Sequence, residues 1–227
     1  RCDRDIARIL YCGGGLMITY FPTPYPDESF YSVCARYAVG SGVGTIGDCN
    51  NNLYGRNRRT DFLYIGDILP EVQTVLTRNK DWETMLKEHT IYNYTSSFLL
   101  EPQKSQALQC LAQNDKLFRE ILPSFNRPTR KIEKIMKYCP LCVKEDRERY
   151  GEAYWHRMWI IPEIVSCPKH HCCLHETKIS ASHTEKTLSS AELFIPEESE
   201  IKASHPIADQ ISGFVSELMS CEHTLKI

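Results

Sequence analysis

The stretch that decides the fold, residues 138–175, reads YCPLCVKEDRERYGEAYWHRMWIIPEIVSCPKHHCCLH. It holds Cys139-x-x-Cys142 and, after 24 intervening residues, Cys167-x-x-His170. Two ligand pairs at this spacing, joined by a loop of this length, can close a tetrahedral zinc site. A proline follows the first cysteine of each pair and favours the chain reversal that turns both side chains toward one ion. The spacing therefore predicts one structural zinc ion bound by Cys139, Cys142, Cys167 and His170.

The predicted ligand set has no open coordination position. Three thiolates with one neutral imidazole are typical of structural rather than catalytic zinc, and such binding contributes folding free energy on the order of 10 kcal/mol. Further potential ligands lie close by in the sequence, namely His156, His171, Cys172, Cys173 and His175. A second metal site therefore stays open, but consecutive cysteines point in different directions, and Cys172 and Cys173 suit packing better.

Composition limits the class of protein. At 227 residues the chain is long enough for one large domain or two small ones. A formal net charge of −2 does not indicate a protein that binds nucleic acid over most of its surface, so any basic surface is local. We expect neither a secretory leader nor a membrane helix, which needs roughly 20 consecutive apolar residues. The odd number of cysteines, 11, favours metal-bound thiolates in a reducing bacterial cytoplasm over a disulfide scaffold.

Four segments are distinguished along the chain. We expect residues 1–18 to form a disordered extension; the alternative is a functional arm. Residues 19–126 predict a helical, helix-turn-helix-like domain, and residues 127–180 predict a Cys3His zinc-knuckle domain. Residues 181–227 predict a polar connector and the start of a C-terminal helical region, with an amphipathic helix over residues 206–218. The predicted fold class is therefore mainly α with a small zinc-binding module.

The helical domain opens with FPTPYPDESFYSVCARYAVGSG, residues 21–42. Three prolines in five residues enforce an extended backbone. Asp27 is then the predicted N-cap of a helix that Gly40 and Gly42 end. Apolar residues recur at helical spacing and suit core packing: Phe30, Val33, Cys34, Tyr37 and Ala38. Candidates for a contact surface with a partner are Arg36 and the run Pro24-Tyr25-Pro26.

A second helix follows closely on the first. After the turn at residues 42–44, Thr45 is the predicted N-cap of a helix that Gly55 ends. Helix, short glycine turn and helix is the outline of a helix-turn-helix unit. Two small basic clusters are candidates for phosphate contacts, with solvated surface as the alternative: Arg56, Arg58 and Arg59 after this unit, and Arg130, Lys131 and Lys134 before the first cysteine. Lys137 belongs to the same basic stretch as the second cluster.

The remainder of this domain predicts further helices. Pro70 and Pro102 stand at first-turn positions, and Asp81 stands at an N-cap position. His89 lies on an apolar helix face with no second ligand nearby, which indicates a packed core histidine. The tract IYNYTSSFLL, residues 91–100, fits either a strand or a loop that packs its aromatic side chains.

The motifs of several enzyme classes are incomplete. A redox Cys-x-x-Cys needs a thioredoxin-like setting and no second ligand pair, and a zinc deaminase needs His-x-Glu before Pro-Cys-x-x-Cys. The sequence holds no phosphate-binding loop of the form G-x-x-x-x-G-K-[ST]. A metal nuclease could use His156 or His171 as a base, but no clear set of acidic ligands accompanies them. We therefore predict no catalytic residues.

Taken in order, the motifs resemble a known family. They are Phe21-Pro-x-Pro-Tyr-Pro-Asp-Glu-Ser-Phe-Tyr-Ser, Ala35-Arg36-Tyr37, Cys139-Pro-x-Cys142, Tyr150-Gly-Glu-Ala-Tyr-Trp-His-Arg157 and Cys167-Pro-x-His170. Over residues 19–180 they resemble the TnsD/TniQ family of target-selection proteins of bacterial transposons. Trp155 and Arg157 match the family's Tyr-Trp-x-Arg run, although Trp155 and Trp159 also suit packing around the knuckles.

The resemblance implies a non-enzymatic adaptor in DNA transposition. Such proteins select a target, either DNA or a CRISPR RNA-guided complex, and recruit an AAA+ ATPase regulator that brings the transposase. By resemblance, the N-terminal segment contacts the regulator, which adds Asp27 and Glu28 to the candidate partner residues. A homodimer is left open. The alternative from the residues alone is a zinc-stabilised helix-turn-helix transcription regulator that binds DNA.

Overall fold

The computed structural model describes residues 21–43, 45–55, 64–65, 68–77, 81–113, 115–122, 135–180 and 188–220. Over these ranges the chain is mainly helical, with one two-stranded sheet, as the sequence predicts. The expected N-terminal extension and both basic clusters lie outside the described residues; the clusters are Arg56, Arg58, Arg59, Arg130, Lys131 and Lys134.

Helix α1 (Phe30–Ser41) begins at a different cap from the predicted one. Ser29 is the N-cap, and its hydroxyl accepts a hydrogen bond from the backbone N–H of Ser32 at 3.2 Å. Asp27 instead has a left-handed backbone with φ of 57°, and its carboxylate binds elsewhere. The helix runs through Gly40 and ends at Gly42, whose φ of 70° suits a residue without a side chain. The predicted Asp27 cap is therefore wrong by two residues.

Helix α2 (Ile46–Tyr54) follows after a short turn, which confirms the predicted helix, glycine turn and helix. Thr45 caps it through a hydrogen bond from the N–H of Asp48 at 3.1 Å. Gly55 ends it with φ of 67°, also as predicted. The N–H of Leu69 then donates to the carbonyl of Leu53 at 2.8 Å and holds the next helix against this one.

Five more helices follow in the described residues between 64 and 122: α3 (Pro70–Leu76), α4 (Trp82–His89), α5 (Tyr92–Ser96), α6 (Glu101–Ala112) and α7 (Phe118–Ile121). Pro70 and Asp81 stand at the predicted starts, and α6 begins one residue before Pro102. His89 is a buried core residue, as predicted, and its Nδ1 lies 2.8 Å from the carbonyl oxygen of Glu28.

The tract at residues 91–100 contains a short helix, α5, and is neither a strand nor a plain loop. Hydroxyl groups in this tract bond back to carbonyls one turn earlier, as Thr95 does to Ile91 at 3.2 Å and Ser97 does to Asn93 at 2.5 Å. Such bonds compete with a strand ladder. The long helix that closes the described chain also packs against α5, so tertiary contacts decide this element.

The cysteine-rich region is built on a small antiparallel sheet. Strand β1 (Ile135–Tyr138) precedes helix α8 (Pro140–Tyr150), and a 3-10 helix (Arg157–Ile160) precedes strand β2 (His175–Ser180). Lys137 pairs with Glu176, and Tyr138 pairs with His175. The sheet therefore brings the start of the first ligand pair beside the end of the second, which sequence spacing alone does not show.

The chain continues into helix α9 (Ala191–Phe194) and helix α10 (Pro206–Ser220). Helix α10 confirms the amphipathic helix predicted over residues 206–218, and it packs against α5 and the 3-10 helix. None of the helices in the described ranges is long and apolar enough to cross a membrane.

One hydrophobic cluster runs through the described helices and the cysteine-rich region. It includes Phe21 and Val33 from the N-terminal part together with Trp155 and Ile164 from the later part. Trp155 is 1% exposed, and its indole N–H donates to the carbonyl of Ser189 at 2.7 Å. Trp155 and Trp159 are both buried, so they pack in the interior as predicted.

Candidate metal centre and the segment docked beside it

The first ligand pair sits at the start of helix α8. Cys139 follows β1 directly and is the N-cap residue of α8, with Pro140 in the first helical turn. The backbone N–H of Cys142 points at the sulfur of Cys139, 3.5 Å away. Because the helix starts between them, both sulfurs turn to the same side of the chain.

The second ligand pair sits in a tight turn. The N–H of His171 donates to the carbonyl of Cys167 at 2.9 Å, and the N–H of Cys167 donates to the carbonyl of Cys172 at 2.9 Å. His171 has a left-handed backbone with φ of 50°, a conformation that costs a residue with a side chain about 1–2 kcal/mol. The turn therefore holds Cys167 and His170 side by side at the expense of local strain.

The four predicted ligands come together. Their ligand atoms all lie within 4.8 Å of one another. The sulfurs of Cys142 and Cys167 are 3.6 Å apart, and Nδ1 of His170 lies 3.3–3.6 Å from the three sulfurs. Metal–sulfur bonds of about 2.3 Å and metal–nitrogen bonds of about 2.0 Å at tetrahedral angles give edges of about 3.5–3.8 Å. The donor set therefore fits one tetrahedrally coordinated metal ion.

The electrostatics of the four donors also suit a cation. Hydrogen bonds from the thiols of Cys142 and Cys167 lower the pKa of Cys139 far below its usual value. The hydrogen bond to Cys139 raises the pKa of Cys142 in turn. One thiolate is thus shared among neighbouring thiols, and a divalent ion that replaces the shared protons would bind all of the sulfurs as thiolates.

A carboxylate that the sequence analysis missed orients the histidine ligand. Nε2 of His170 lies 3.2 Å from an oxygen of Glu145, which also pairs with Lys169. An acceptor at Nε2 keeps the proton there and leaves Nδ1 free to bind a metal ion. Glu145 lies three residues after Cys142 on α8, so a helical reading of that stretch could have found it.

The other potential ligands nearby are not members of this group of four. The sulfur of Cys172 is buried 3.5 Å from the sulfur of Cys139, whereas the sulfur of Cys173 contacts the carbonyl of Ala203 at 3.5 Å. His171 pairs with Asp209, His175 bonds to the carbonyl of Glu200, and His156 bonds to Asp146. Among the residues described, only the Cys139 group forms a cluster that could hold a metal ion.

Lys137 is a structural residue and not part of a basic surface. It is 7% exposed, and its ammonium donates to the carbonyls of Ile161 at 2.8 Å and Pro162 at 3.2 Å, and also to that of Ile164. Burial lowers its pKa to about 8. Lys137 therefore ties the strand before the first ligand pair to the loop before the second, so its inclusion in the predicted basic stretch is corrected.

The Pro-Tyr-Pro-Asp-Glu segment docks on the segment that follows α8. The backbone N–H of Arg157 donates to the carbonyl of Asp27 at 2.9 Å, and that of Ser29 donates to the carbonyl of Trp155 at 2.9 Å. The N–H of Trp155 donates to the hydroxyl of Ser32 at 3.0 Å. The guanidinium of Arg157 then binds the carboxylate of Asp27 at 2.7 Å. The two motif blocks therefore form one interlocked unit.

His156 lies inside this unit between two carboxylates. Its Nε2 is 2.9 Å from Asp146, and its Nδ1 is 3.5 Å from Asp27. Burial opposes the charged imidazole, but the hydrogen bonds to Asp146 and Asp27 outweigh it and raise the pKa of His156 to about 9. The hydrogen bond from His156 and the charge of Arg157 likewise outweigh burial and lower the pKa of Asp27.

Arg36 and Glu28 form a buried ion pair that supports the docked segment from its interior side. Arg36 binds Glu28 at 2.9 Å and Glu152 at 3.0 Å, and its guanidinium lies 3.8 Å from the centre of the Tyr25 ring. Burial raises the pKa of Glu28 to about 7, although the charge of Arg36 and the N–H of Tyr25 oppose the rise. One of its oxygens, Oε1, has no hydrogen-bond partner among the described residues. Glu28 is 0% exposed and Arg36 is 7% exposed. Both were predicted to touch a partner, and both are buried in the structure.

The neighbours reach the surface. Pro26 is exposed, and Pro24, Tyr25 and Asp27 are half-buried. The ring of Tyr25 stacks on that of Tyr150 with centres 4.4 Å apart, which fixes the extended segment in place. The predicted partner residues thus divide into an exposed edge and a buried ion-pair support.

This geometry defines a helical module in which the Pro-Tyr-Pro-Asp-Glu segment docks on the stretch that follows α8, between the two ligand pairs. The comparisons with known proteins cover the same region. A family model described as TniQ matches residues 19–174. The chain is also 26% identical, over 152 residues, to "Transposon Tn7 transposition protein TnsD" of Escherichia coli; the match covers 66% of this chain and 30% of that relative. The chain belongs to the TniQ family, as the motifs predict. It spans about a third of the length of the relative it matches.

Proposed function

We propose that the Cys3His cluster binds one structural zinc ion. Three sulfurs and one imidazole suit zinc better than the harder cations, which prefer oxygen ligands. No open position remains for a substrate or an attacking water molecule. When bound, the ion supplies cross-linking of α8, the second knuckle and the sheet; His170, held by Glu145, presents Nδ1 to it.

Metal analysis of the purified chain tests this assignment. We expect one zinc ion per chain, lost in Cys139→Ser together with part of the folded structure. Cys173→Ser is the matched control, because Cys173 lies close in sequence but its sulfur contacts the carbonyl of Ala203. A well-folded, metal-free Cys139→Ser protein contradicts the structural role.

We infer that the protein is a non-enzymatic adaptor in DNA transposition that takes part in target-site selection. Membership of the TniQ family supports this inference, as does the similarity to a protein named for transposition. The main observation behind it is the ion pair between Asp27 and Arg157. This pair holds the proline-rich segment, residues 24–27, rigidly against the part of the fold that the metal ion supports. A rigid, exposed edge loses little conformational entropy when a partner binds.

We propose that the exposed edge Pro24–Asp27 recruits an AAA+ ATPase regulator, which brings the transposase. Arg36 and Glu28 act beneath it by holding Tyr25 and the turn in place. Target recognition, whether of DNA or of a CRISPR RNA-guided complex, is assigned to other surfaces. For direct DNA contact the candidates remain Arg56, Arg58, Arg59, Arg130, Lys131 and Lys134. Such an assembly would work in the bacterial cytoplasm.

A pull-down with an AAA+ transposition regulator tests the recruitment. We expect the regulator to retain the chain in the presence of ATP and DNA, and Pro26→Arg to reduce retention at least fivefold. Gln106→Arg places the same side chain at an exposed position on α6 and should leave retention unchanged. Equal retention of both variants, or no retention of the wild type, overturns the assignment.

The alternative function is that of a zinc-stabilised transcription regulator that binds DNA. Helices α1 and α2 with the turn between them favour it, because they have the outline of a helix-turn-helix unit. This alternative requires binding to a defined duplex, with an affinity that falls steeply as salt concentration rises. Equal binding to all duplexes, or none, removes it.

A further inference from the structure

A small cleft lies where α8, the 3-10 helix, the second knuckle and the N-terminal segment meet. Its volume is about 310 Å³, near the lower end of the range of about 300–1,000 Å³ for ligand sites. Pro26 of the exposed edge forms part of its wall. The cleft therefore adjoins the surface that we assign to recruitment.

The interior of the cleft is aromatic. Tyr154 stacks on His156 with ring centres 4.4 Å apart, and His156 lies 4.1 Å from Trp159. Tyr150 meets Tyr154 edge to face at 5.9 Å. All four side chains line the cleft. Rings fixed in this way give an apolar ligand a preformed surface at little entropic cost.

The charges around the cleft are neutralised except for one. Asp146 binds His156 at 2.9 Å, Asp27 binds Arg157 at 2.7 Å, and Glu145 pairs with Lys169. In contrast, the exposed guanidinium of Arg149 faces no carboxylate within ion-pair distance in the described parts of the chain; it lies 5.3 Å from the ring of Tyr150. A cationic ligand would have to break an existing ion pair, whereas an anionic group can bind Arg149 without displacing anything.

We propose that this cleft anchors a peptide segment of a protein partner, in which an apolar aromatic side chain enters the cleft and an adjacent carboxylate binds Arg149. The proposal rests on the proposed recruitment function, and it names the chemistry that the partner presents. A nucleic-acid strand is disfavoured because it needs a track of cations for successive phosphates, and this cleft is lined by three carboxylates with a single unpaired cation.

Fragment binding tests the cleft directly. The probes are N-acetyl-L-phenylalanine, its uncharged amide and thymidine 5′-monophosphate, added to the full ¹⁵N-labelled, metal-loaded chain and followed by two-dimensional NMR. The acid should shift the indole N–H signal of Trp159 saturably, and the amide should bind at least fivefold more weakly. The signal of Trp155, whose indole N–H is held by Ser189 in the core, should not move.

Variants separate the contribution of the Arg149 charge to binding from the contribution of the aromatic cleft. Arg149→Gln should remove the preference for the acid over the amide, whereas the control Arg119→Gln should keep it. Arg119 is a fair match because it is also exposed and lies 5.1 Å from the ring of its neighbour Phe118. Ser216→Trp, at the wall of the cleft, should abolish binding of the acid and the amide alike.

Several results overturn the proposal. No saturable shift of Trp159, equal affinity for acid and amide, or tighter binding of the nucleotide than of the acid would each contradict it. Failure of the recruitment function is distinguishable, because then the probes bind as expected while the regulator pull-down shows no retention. If retention occurs but is the same for wild type and Arg149→Gln, the cleft is not the anchor.

Discussion

Arg157 donates to Asp27 across 2.7 Å and so joins two segments that lie 130 residues apart in the chain. The same guanidinium also donates to the carbonyls of Thr90 at 3.1 Å and Met219 at 3.2 Å, and to that of Lys87. One side chain thus links the N-terminal segment, the end of α4 and the end of α10. The run Tyr154-Trp155-His156-Arg157 therefore has a structural meaning, because its arginine closes the unit.

Loss of this arginine should therefore destabilise the protein strongly. Arg157→Met removes one donor from each of three carbonyls and a carboxylate, and we expect it to lower the free energy of unfolding by about 2–4 kcal/mol. The control is Lys202→Met, because Lys202 pairs with Glu200 where both side chains are largely exposed, and such pairs contribute little. Urea denaturation of the two variants gives the comparison, and equal effects would refute the linking role.

The protonation of His156 should appear in the pH dependence of stability. Its folded-state pKa of about 9 exceeds the ordinary value of about 6.5. A raised pKa means that its contribution is fully present below pH 6.5 and is lost as pH rises through 9. The difference in unfolding free energy between wild type and His156→Gln should therefore shrink over that window. A difference that stays constant from pH 6 to pH 9 contradicts a protonated His156.

Lys137 should show the opposite slope. Burial lowers its folded-state pKa to about 8, below the ordinary value of about 10.4, so its charge opposes folding below pH 8 and this effect fades as pH rises to 10.4. We expect Lys137→Met to lower the unfolding free energy by about 1–3 kcal/mol at pH 7, because carbonyls lose their donor. The loss should grow between pH 8 and pH 10. A loss that shrinks over this range would count against the assignment.

The strained turn at His171 offers a stabilising substitution. Its φ of 50° suits glycine, so His171→Gly should raise the unfolding free energy by about 0.5–1 kcal/mol. His171→Ala also removes the side chain but keeps the strain, and it should be less stable than the glycine variant by about 1 kcal/mol. Thermal melts of the metal-loaded variants measure both; an alanine variant at least as stable as the glycine variant would show that the turn is unstrained.

The sequence predicts what depends on local spacing. The four ligands follow from the sequence because only two residues separate the members of each pair, and Thr45, Asp81 and Gly55 follow from it because caps are local patterns. Glu145 follows the same rule, since it lies one helical turn after Cys142.

What depends on distant partners could not be predicted in this way. Arg36 and Lys137 look like surface cations in the sequence, and only their buried partners on other segments show otherwise. Aspartate is a residue type that often caps a helix, but Arg157 and His156 hold Asp27 in a left-handed turn instead. Helix α5 forms where residues 91–100 pack against α10, a contact between parts of the chain about 120 residues apart.

The central claim is that the metal centre supports the docked N-terminal segment, and amide hydrogen exchange before and after metal removal tests it most directly. The N–H groups of Ser29 and Arg157 donate across the interface at 2.9 Å. Their hydrogen-exchange protection factors should fall at least tenfold when a chelator removes the ion. The N–H of Thr77 at the end of α3, which bonds within its own segment, should change less. Undiminished protection of Ser29 and Arg157 in the metal-free chain would contradict the claim.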